Sequence, residues 1–220
     1  MCGRFTLAST AEELMEEFGL GGMPGESRPR YNIAPSQPVL TLVAGKDGPV
    51  WRYLRWGLVP FWADDPAIGH RMINARAEGV EDRPAFRRPF ERRRCLVVAD
   101  GFYEWRRDPA GKTPMLIRLA THRPFALAGL WDRWVPRDGG EPLDSCAIIT
   151  TAASPFMRPI HDRMPVILDR EERAEWLDRG ADPRRLRALL RPYTGELEAY
   201  EVSPLVNSPA NDVPACLVPV

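Results

Sequence analysis

The cysteine at position 2 has the most unusual chemistry available to any residue of this sequence. Cys2 follows the initiator methionine, so removal of one residue would make it the N-terminus. Its α-amine, with a pKa near ~7.7–8.0, and its thiol, near ~8.5, would then lie on adjacent carbons. Such an aminothiol condenses with an aldehyde to an imine and then closes a thiazolidine ring. Cys2 therefore indicates an aldehyde trap or an N-terminal-nucleophile hydrolase, although a chance terminal cysteine is the simpler interpretation when it is taken alone.

Two acid–base residues lie beside apolar segments. Glu104 stands between Tyr103 and Trp105 in DGFYEW, and a carboxyl group among aromatic rings tends to have a raised pKa, which suits a proton shuttle. His161, in RPIHDRMPVIL, could serve as a general acid or base. A solvent-facing glutamate and a structural histidine are the alternatives. The three histidines do not have metal-ligand spacing, so we expect no metal site.

Two further stretches have residues suited to nucleic acid. In MINARAEG, Asn74 and Arg76 would share one face of an extended segment, where the amide could orient a nucleophile and the guanidinium could hold a phosphate. An ordinary surface turn is the alternative. In WGLVPFW, the aromatic rings are either core residues or wedges against unstacked bases.

The segment RPAFRRPFERRRC interleaves arginines with two phenylalanines. That pattern suits a nucleic-acid backbone with stacked bases. However, Phe86 and Phe90 are four residues apart, which is typical of a helix packed on a core. We favour the core for the rings and a lesser backbone-contact role for some of the arginines.

The elements that must position these residues are mainly short strands, such as VLTLVA, WRYLRWGL, CLVVAD, TPMLIRL, FALAGLW, CAIITTA and LEAYEVS. Helices are predicted in STAEELMEEFGLGG, with a Ser9–Glu12 capping box, in DREERAEWLDRG, and in DPRRLRALLRP, capped by Asp182. MPGESRPRYNIAPSQP is predicted to be a loop. Strands without βαβ alternation predict one α+β domain, residues 1–220, around a mixed or largely antiparallel sheet.

Composition limits the compartment and the partners. The formal net charge of the 220 residues is zero, and Lys46 and Lys112 are the only lysines, so arginines must supply any basic surface. The four cysteines form no CxxC pair, which favours a reducing compartment. No signal peptide or membrane span is recognisable. We therefore expect a cytoplasmic protein. We also expect a monomer without a cofactor.

The order of the motifs is more specific than any one of them. MCGRF, YNIAPSQ, RWGLVPFW, INARAE, RRRCLVVADGFYEW, LAGLWD, IITTAA and IHDRMPVIL occur in that order, and EVSPLVNSPANDVPA follows near the C-terminus. Over essentially its whole length the chain resembles the SRAP family. These are the SOS-response-associated peptidases, which include the abasic-site processing proteins.

This resemblance implies a single-domain α+β fold with a positively charged cleft for single-stranded DNA. By position, Cys2 corresponds to the nucleophile, Asn74 to the asparagine beside it, Glu104 to the acidic catalytic residue and His161 to the histidine that assists crosslinking and its reversal. The implied DNA contacts are Arg4, Pro35, Trp62, Arg76 and Thr150. Ser154 stands where an asparagine is expected, and Pro155 follows it, so the loop before His161 is expected to differ.

The implied function is the capture of abasic sites in single-stranded DNA as a thiazolidine crosslink to Cys2, with lyase, reversal and self-processing peptidase activities as accompaniments. One alternative is an N-terminal-nucleophile hydrolase of peptides or of glutamine. Class II glutamine amidotransferases also begin Met-Cys-Gly, but DGFYEW and IHDRMP are not their motifs. A non-catalytic single-stranded DNA-binding module is the other alternative.

Overall fold

Thirteen strands and four short α-helices make up the part of the chain that this computed structural model describes, residues 2–23, 28–109 and 111–220. The strands are β1 (Phe5–Leu7), β2 (Arg30–Ile33), β3 (Pro38–Ala44), β4 (Pro49–Trp56), β5 (Asn74–Arg76), β6 (Arg94–Ala99), β7 (Gly101–Asp108), β8 (Gly111–Leu119), β9 (Phe125–Trp134), β10 (Leu143–Ala152), β11 (Arg163–Pro165), β12 (Ile167–Leu168) and β13 (Leu197–Glu201). The helices are α1 (Ala11–Phe18), α2 (Pro84–Arg92), α3 (Arg170–Leu177) and α4 (Pro183–Leu189).

The larger sheet closes on itself. Its pairings run β10–β4–β3–β6–β9 and return from β9 to β10, so these five strands form a ring of hydrogen-bonded neighbours. Closure leaves no open edge along the ring, and it buries β6 completely. β5 pairs in parallel with β10, so Asn74 lies opposite Ile148. The closed sheet therefore sets the position of the Asn74 side chain.

The second sheet, in the order β13–β8–β7–β1–β2, is antiparallel throughout. β1 pairs with β7 so that Phe5 lies opposite Phe102, and the Tyr103 amide donates to the Arg4 carbonyl oxygen at 2.9 Å. This register brings the N-terminal residues beside Glu104. The two sheets share one apolar core, in which the rings of Phe5 and Trp56 are 5.2 Å apart. The α+β prediction, one domain around a mixed set of strands, is confirmed.

The start of α1 differs from the sequence prediction by one residue. Thr10, not Ser9, caps the helix: the Thr10 hydroxyl accepts from the Glu13 amide, and the Glu13 carboxylate accepts from the Thr10 amide. Ser9 is held elsewhere, because its amide and hydroxyl both donate to the Asp100 carboxylate. The predicted Ser9–Glu12 box is therefore wrong, whereas α4 begins after its predicted cap, Asp182.

The predicted proline-rich loop contains a strand, β2, which follows the undescribed residues 24–27. The carboxylate of Asp212 accepts hydrogen bonds from the amides of Tyr31 and Asn32 at 2.5 and 3.0 Å, and it pairs with Arg30. The C-terminal segment therefore stabilises β2 as a strand, through contacts about 180 residues apart in the chain. No α-helix within the described ranges has the length and apolarity needed to cross a bilayer.

Replacement of Asn32 by alanine is expected to destabilise the protein by about 2–4 kcal/mol. Asn32 is fully buried; its amide nitrogen contacts the carbonyl oxygens of Val206, Ser208 and Asn211, and its oxygen accepts from Arg4. Alanine would remove these four hydrogen bonds from a fully buried position. Urea unfolding measures the change. The control, Asn207→Ala, removes one exposed hydrogen bond; a similar loss in both variants would contradict this account.

Candidate active site

Cys2 lies fully buried just before β1, where residues from both sheets meet. The Asn74 side-chain nitrogen donates to the Cys2 carbonyl oxygen at 2.9 Å. The Asn74 side-chain oxygen is also buried, yet it has no hydrogen-bond partner among the described residues. Because an unpaired buried acceptor is costly, this oxygen is a candidate to accept a proton donor that arrives during function. Asn74 therefore holds the backbone of Cys2 and retains one free acceptor.

Glu104 lies on β7 and is almost fully buried. Burial raises the pKa of its carboxyl group to about 7, and the negative charge of Asp162 adds to the rise. Near neutral pH both the acid and its conjugate base are thus present, so Glu104 can give and accept protons. Burial, followed by the charge of Glu104, also raises the pKa of the Cys2 thiol well above its ordinary value. The thiol is therefore protonated at neutral pH, with an adjacent base.

His161 presents one ring nitrogen to Glu104, with Nε2 3.9 Å from Oε2. Its Nδ1 accepts a hydrogen bond from the Arg163 amide at 2.9 Å. Exposed Asp162 also lies 2.9 Å from Nδ1, but Nδ1 cannot donate to it while accepting the amide. Because burial lowers the pKa of His161, the ring is neutral near pH 7 and its proton is on Nε2. His161 is thus oriented as a donor on the side of Glu104.

The turn before His161 is built on Ser154. Its carbonyl oxygen accepts from the amides of Met157 and Arg158 at 3.0 Å each, and the His161 amide donates to Met157 O at 2.9 Å. The Ser154 side chain is buried, whereas Pro155 is exposed. The backbone carbonyl of Ser154 thus anchors the tight turn that carries His161 to the site.

A cleft of about 480 Å³ lies beside the group formed by Cys2, Asn74, Glu104 and His161. Its lining residues are Trp62, Arg71, Met72, Asn74, Arg76, Arg83, Pro84, Ala85 and Phe86. Asn74 belongs to both places, since it lines the cleft and contacts Cys2. Trp62 is 46% exposed, and none of the three arginines forms an ion pair with a described residue. The cleft thus combines a basic wall, an exposed ring and a connection to Cys2.

Two arginines of the cleft were not predicted from the sequence as site residues. Arg71 was not considered, and Arg83 was considered only as part of RPAFRRPFERRRC. Arg71 ends a short 3₁₀ helix, Pro66–Arg71, and no motif marked it. Arg83 was one of six arginines without distinction. Neither could have been singled out before the fold was known, because the sequence does not show which arginines share a surface.

Three of the sequence-predicted DNA contacts lie outside the cleft lining. Arg4 is half-buried and donates to Asn32 Oδ1 and Val206 O at 2.8 and 2.6 Å, so its guanidinium binds the protein itself. Pro35 is half-buried in the turn before β3, and Ser36, which follows it, has a φ of 71° and contacts His70 Nδ1. Arg4 thus joins the N-terminal residues to the C-terminal segment through Val206.

Thr150 is fully buried on β10, so its side chain does not reach the surface in this conformation. Both of its oxygens accept from Arg163 Nη2, at 2.6 and 3.3 Å. Arg163 also forms a two-pronged ion pair with Glu78 at 2.7 and 2.9 Å. In this structure Thr150 thus contacts Arg163, and a contact of Thr150 with DNA stays a prediction. Within the described ranges, no group of three His, Cys, Asp or Glu side chains could hold a metal ion.

Comparison with known proteins assigns the family. The sequence profile of the family described as SOS response associated peptidase (SRAP) matches residues 1–209. The chain belongs to the SRAP family. The family prediction made from the ordered motifs is thereby confirmed.

SRAP relatives cover nearly the whole chain. The chain is 48% identical over 219 residues to the abasic site processing protein YoqW of Bacillus subtilis, with 97% of each covered. It is 37% identical over 228 residues to the abasic site processing protein HMCES of Gallus gallus, with 89% of this chain and 68% of the relative covered. A crystal structure of a protein from Bacteroides thetaiotaomicron is 27% identical, with a TM-score of 0.89 over 100% of both chains. The SRAP fold and sequence therefore extend over both sheets.

Proposed function

We propose that this chain captures abasic sites in single-stranded DNA as a covalent thiazolidine crosslink to Cys2, after removal of Met1. One observation carries the proposal: Asn74 contacts the buried Cys2 and at the same time lines an arginine-rich cleft. A carboxyl group with a pKa of about 7 lies beside Cys2. The relatives named abasic site processing proteins support the same substrate.

The first step joins the α-amine of Cys2 to the aldehyde carbon of the ring-opened abasic sugar. A C–N bond forms, and loss of water from the carbinolamine gives the protonated imine, which keeps the N–H of the carbinolamine. Protonated Glu104 gives its proton to the departing hydroxyl, because its pKa of about 7 keeps the acid form populated at neutral pH. The unpaired Asn74 oxygen accepts an N–H of the amine and orients its lone pair.

The second step closes the ring. The Cys2 sulfur attacks the carbon of the protonated imine, a C–S bond forms, and the C=N electron pair returns to the nitrogen, which keeps its proton. Because the pKa of the thiol is raised, the sulfur needs a base, and the carboxylate left by the first step receives the thiol proton. Glu104 thus returns to its acid form, and the whole sequence releases one water.

His161 acts on the leaving oxygens of the sugar. Its Nε2–H, fixed by the Arg163 amide on the opposite nitrogen, donates to the ring oxygen as the sugar opens. The same donor serves the reversal of the crosslink through the imine. Strand cleavage follows when the imine instead loses its neighbouring phosphate by elimination, which is the lyase branch of the proposal.

The preference for single strands comes from the shape of the cleft. Trp62, about half exposed, offers a ring against which an unstacked base packs. Pro35, which lies outside the cleft lining, is proposed to complete the wedge. Arg71, Arg76 and Arg83 bind the phosphates of the strand. A continuous duplex would have to unstack to place its aldehyde at Cys2.

The test uses oligonucleotides that carry one abasic site, single-stranded or duplex, and the same strand with a tetrahydrofuran analogue that has no aldehyde. The expected product survives denaturation without reductant, forms on the single-stranded aldehyde lesion, and has the mass of the protein without Met1 plus the oligonucleotide minus one water. No adduct from protein whose intact mass confirms the loss of Met1 would refute the crosslink. Equal rates on both strand forms would refute only the single-strand preference.

The family description also names a peptidase activity. An amide is attacked far more readily by a thiolate than by a thiol, and burial together with Glu104 disfavours the Cys2 thiolate. We therefore place general peptide hydrolysis below aldehyde capture. Release of product from a fluorogenic peptide or of ammonia from glutamine, lost in Cys2→Ala, would reverse that order.

A further inference from the structure

The outward face of α2 is an arginine-rich surface that the crosslinking site does not use. Phe86 and Phe90 anchor this helix in the core, as their spacing predicts, whereas Arg87, Arg88 and Arg92 are exposed. A groove of about 560 Å³ runs over this face. Its lining residues are Pro84, Arg87, Arg88, Glu91 and Arg92. We call it the α2 groove.

The α2 groove is continuous with the cleft beside Asn74. Pro84 lines both depressions, and Arg83, the residue before it, lines the cleft. A basic path therefore runs from Asn74 through Arg83 and onto the outer face of α2. Its charge favours an anionic polymer that continues from the cleft over a small molecule, because successive arginines follow one another along the helix.

A fixed aromatic residue stands beside this path. The guanidinium carbon of Arg88 lies 4.4 Å from the centroid of the Phe61 ring, and Phe61 is 47% exposed next to Trp62. The Phe61 amide donates to the buried Asp132 carboxylate at 2.9 Å, and Asp132 pairs with Arg93. The stacked Arg88–Phe61 pair is thus held in place and joins the segment that carries Trp62 to the α2 groove.

The acidic residue of the groove does not cancel its charge. Glu91 lies 3.7 Å from Arg87 in an exposed pair, with both side chains more than half accessible. Such a pair contributes little stability and exchanges readily for a phosphate. Three arginines against one glutamate leave a net positive groove.

We propose that the α2 groove is a second nucleic-acid subsite, which binds the backbone of the single strand on one side of the abasic site. The proposal rests on the crosslinking function, because the lesion at Cys2 defines which part of the strand leaves the cleft at Pro84. Arg87, Arg88 and Arg92 hold phosphates, and the Arg88–Phe61 pair packs against a base. The subsite lengthens the footprint on the strand and does not take part in bond formation.

The test is the dependence of affinity on strand length. Single strands with the tetrahydrofuran analogue are used at about 6 nucleotides and with extensions to about 16 nucleotides on the 5′ side or on the 3′ side only. The variant is Arg87→Ala/Arg88→Ala/Arg92→Ala. A control that removes the same charge elsewhere is Arg123→Ala/Arg184→Ala/Arg185→Ala, at exposed positions away from α2. Fluorescence anisotropy gives each dissociation constant over a range of salt concentrations.

In the wild type, one of the two extensions is expected to tighten binding about 10-fold or more, with a steeper salt dependence. On the extended strand, the α2 variant is expected to lose that gain in affinity. The slope of its log binding constant against log salt concentration should also fall by about 2. On the short strand, its affinity should equal that of the wild type. The subsite would be overturned if the α2 variant and the control lost equal affinity for the extended strand. It would also be overturned if the extension still tightened binding in the α2 variant. The crosslinking proposal is read separately, from the adduct of the wild type with a short aldehyde-bearing strand; its failure with the length effect intact would leave the subsite standing.

Discussion

Cys2→Ser is expected to lower the yield of adduct that survives denaturation without reductant by at least ~100-fold, equivalent to about 3 kcal/mol in the closing step. The variant keeps the α-amine, and serine is small enough for Met1 to be removed before it. An imine therefore still forms. The hydroxyl is a weak nucleophile, so the ring that protects the imine from hydrolysis does not persist. Borohydride should trap the open imine in this variant.

Cys2→Ala tests, in the same experiment, what the α-amine of residue 2 can do without the thiol. It keeps the amine and removes the heteroatom, so it should resemble Cys2→Ser in both readouts. Cys216→Ala is the matched control, because Cys216 is also a buried free cysteine but belongs to the C-terminal segment. A stable adduct in either Cys2 variant would reject the thiazolidine, and its loss in Cys216→Ala would reject the specificity for Cys2.

Glu104→Gln is expected to slow adduct formation at pH 7 by ~10²–10³-fold. The amide keeps the shape of the side chain but can neither release a proton to the departing water nor accept the thiol proton. In the wild type the rate should change with an apparent pKa of about 7, the value to which burial raises the carboxyl group. Single-turnover kinetics between pH 5 and pH 9 measure both effects. A Glu104→Gln rate equal to that of the wild type would reject the proton shuttle.

The same raised pKa has a consequence for stability. Folding moves the pKa of Glu104 from 4.5 to about 7, so the folded state holds its proton more tightly than the unfolded state does. Relative to Glu104→Gln, the free energy of unfolding of the wild type should therefore fall by up to about 3 kcal/mol as pH rises from about 4.5 through 7. Urea unfolding at pH 5 and pH 8 tests this difference. Glu16→Gln, at an exposed position, is the control and should show the wild-type pH dependence.

Local features of the fold were predictable because their causes lie within a few residues. The cap of α4 depends on Asp182 and Pro183, and the packing of α2 depends on the spacing of Phe86 and Phe90. Strand patterns likewise identified most of the two sheets. The errors arose where a distant group intervened. Asp100 binds Ser9 and leaves the α1 cap to Thr10, and Asp212 makes a strand of a segment that looks like a loop.

By itself, the sequence determined the family and the chemical types of the candidate site, because the order of the motifs and the aminothiol of Cys2 are properties of the chain. Only the tertiary structure decided how those groups act. Asn74 reaches Cys2 across 72 positions through the pairing of β5 with β10, and the pKa of Glu104 rises because the two sheets bury it. The structure likewise places Thr150 behind Arg163. Burial and register depend on contacts between distant strands, and no local pattern of residues encodes them.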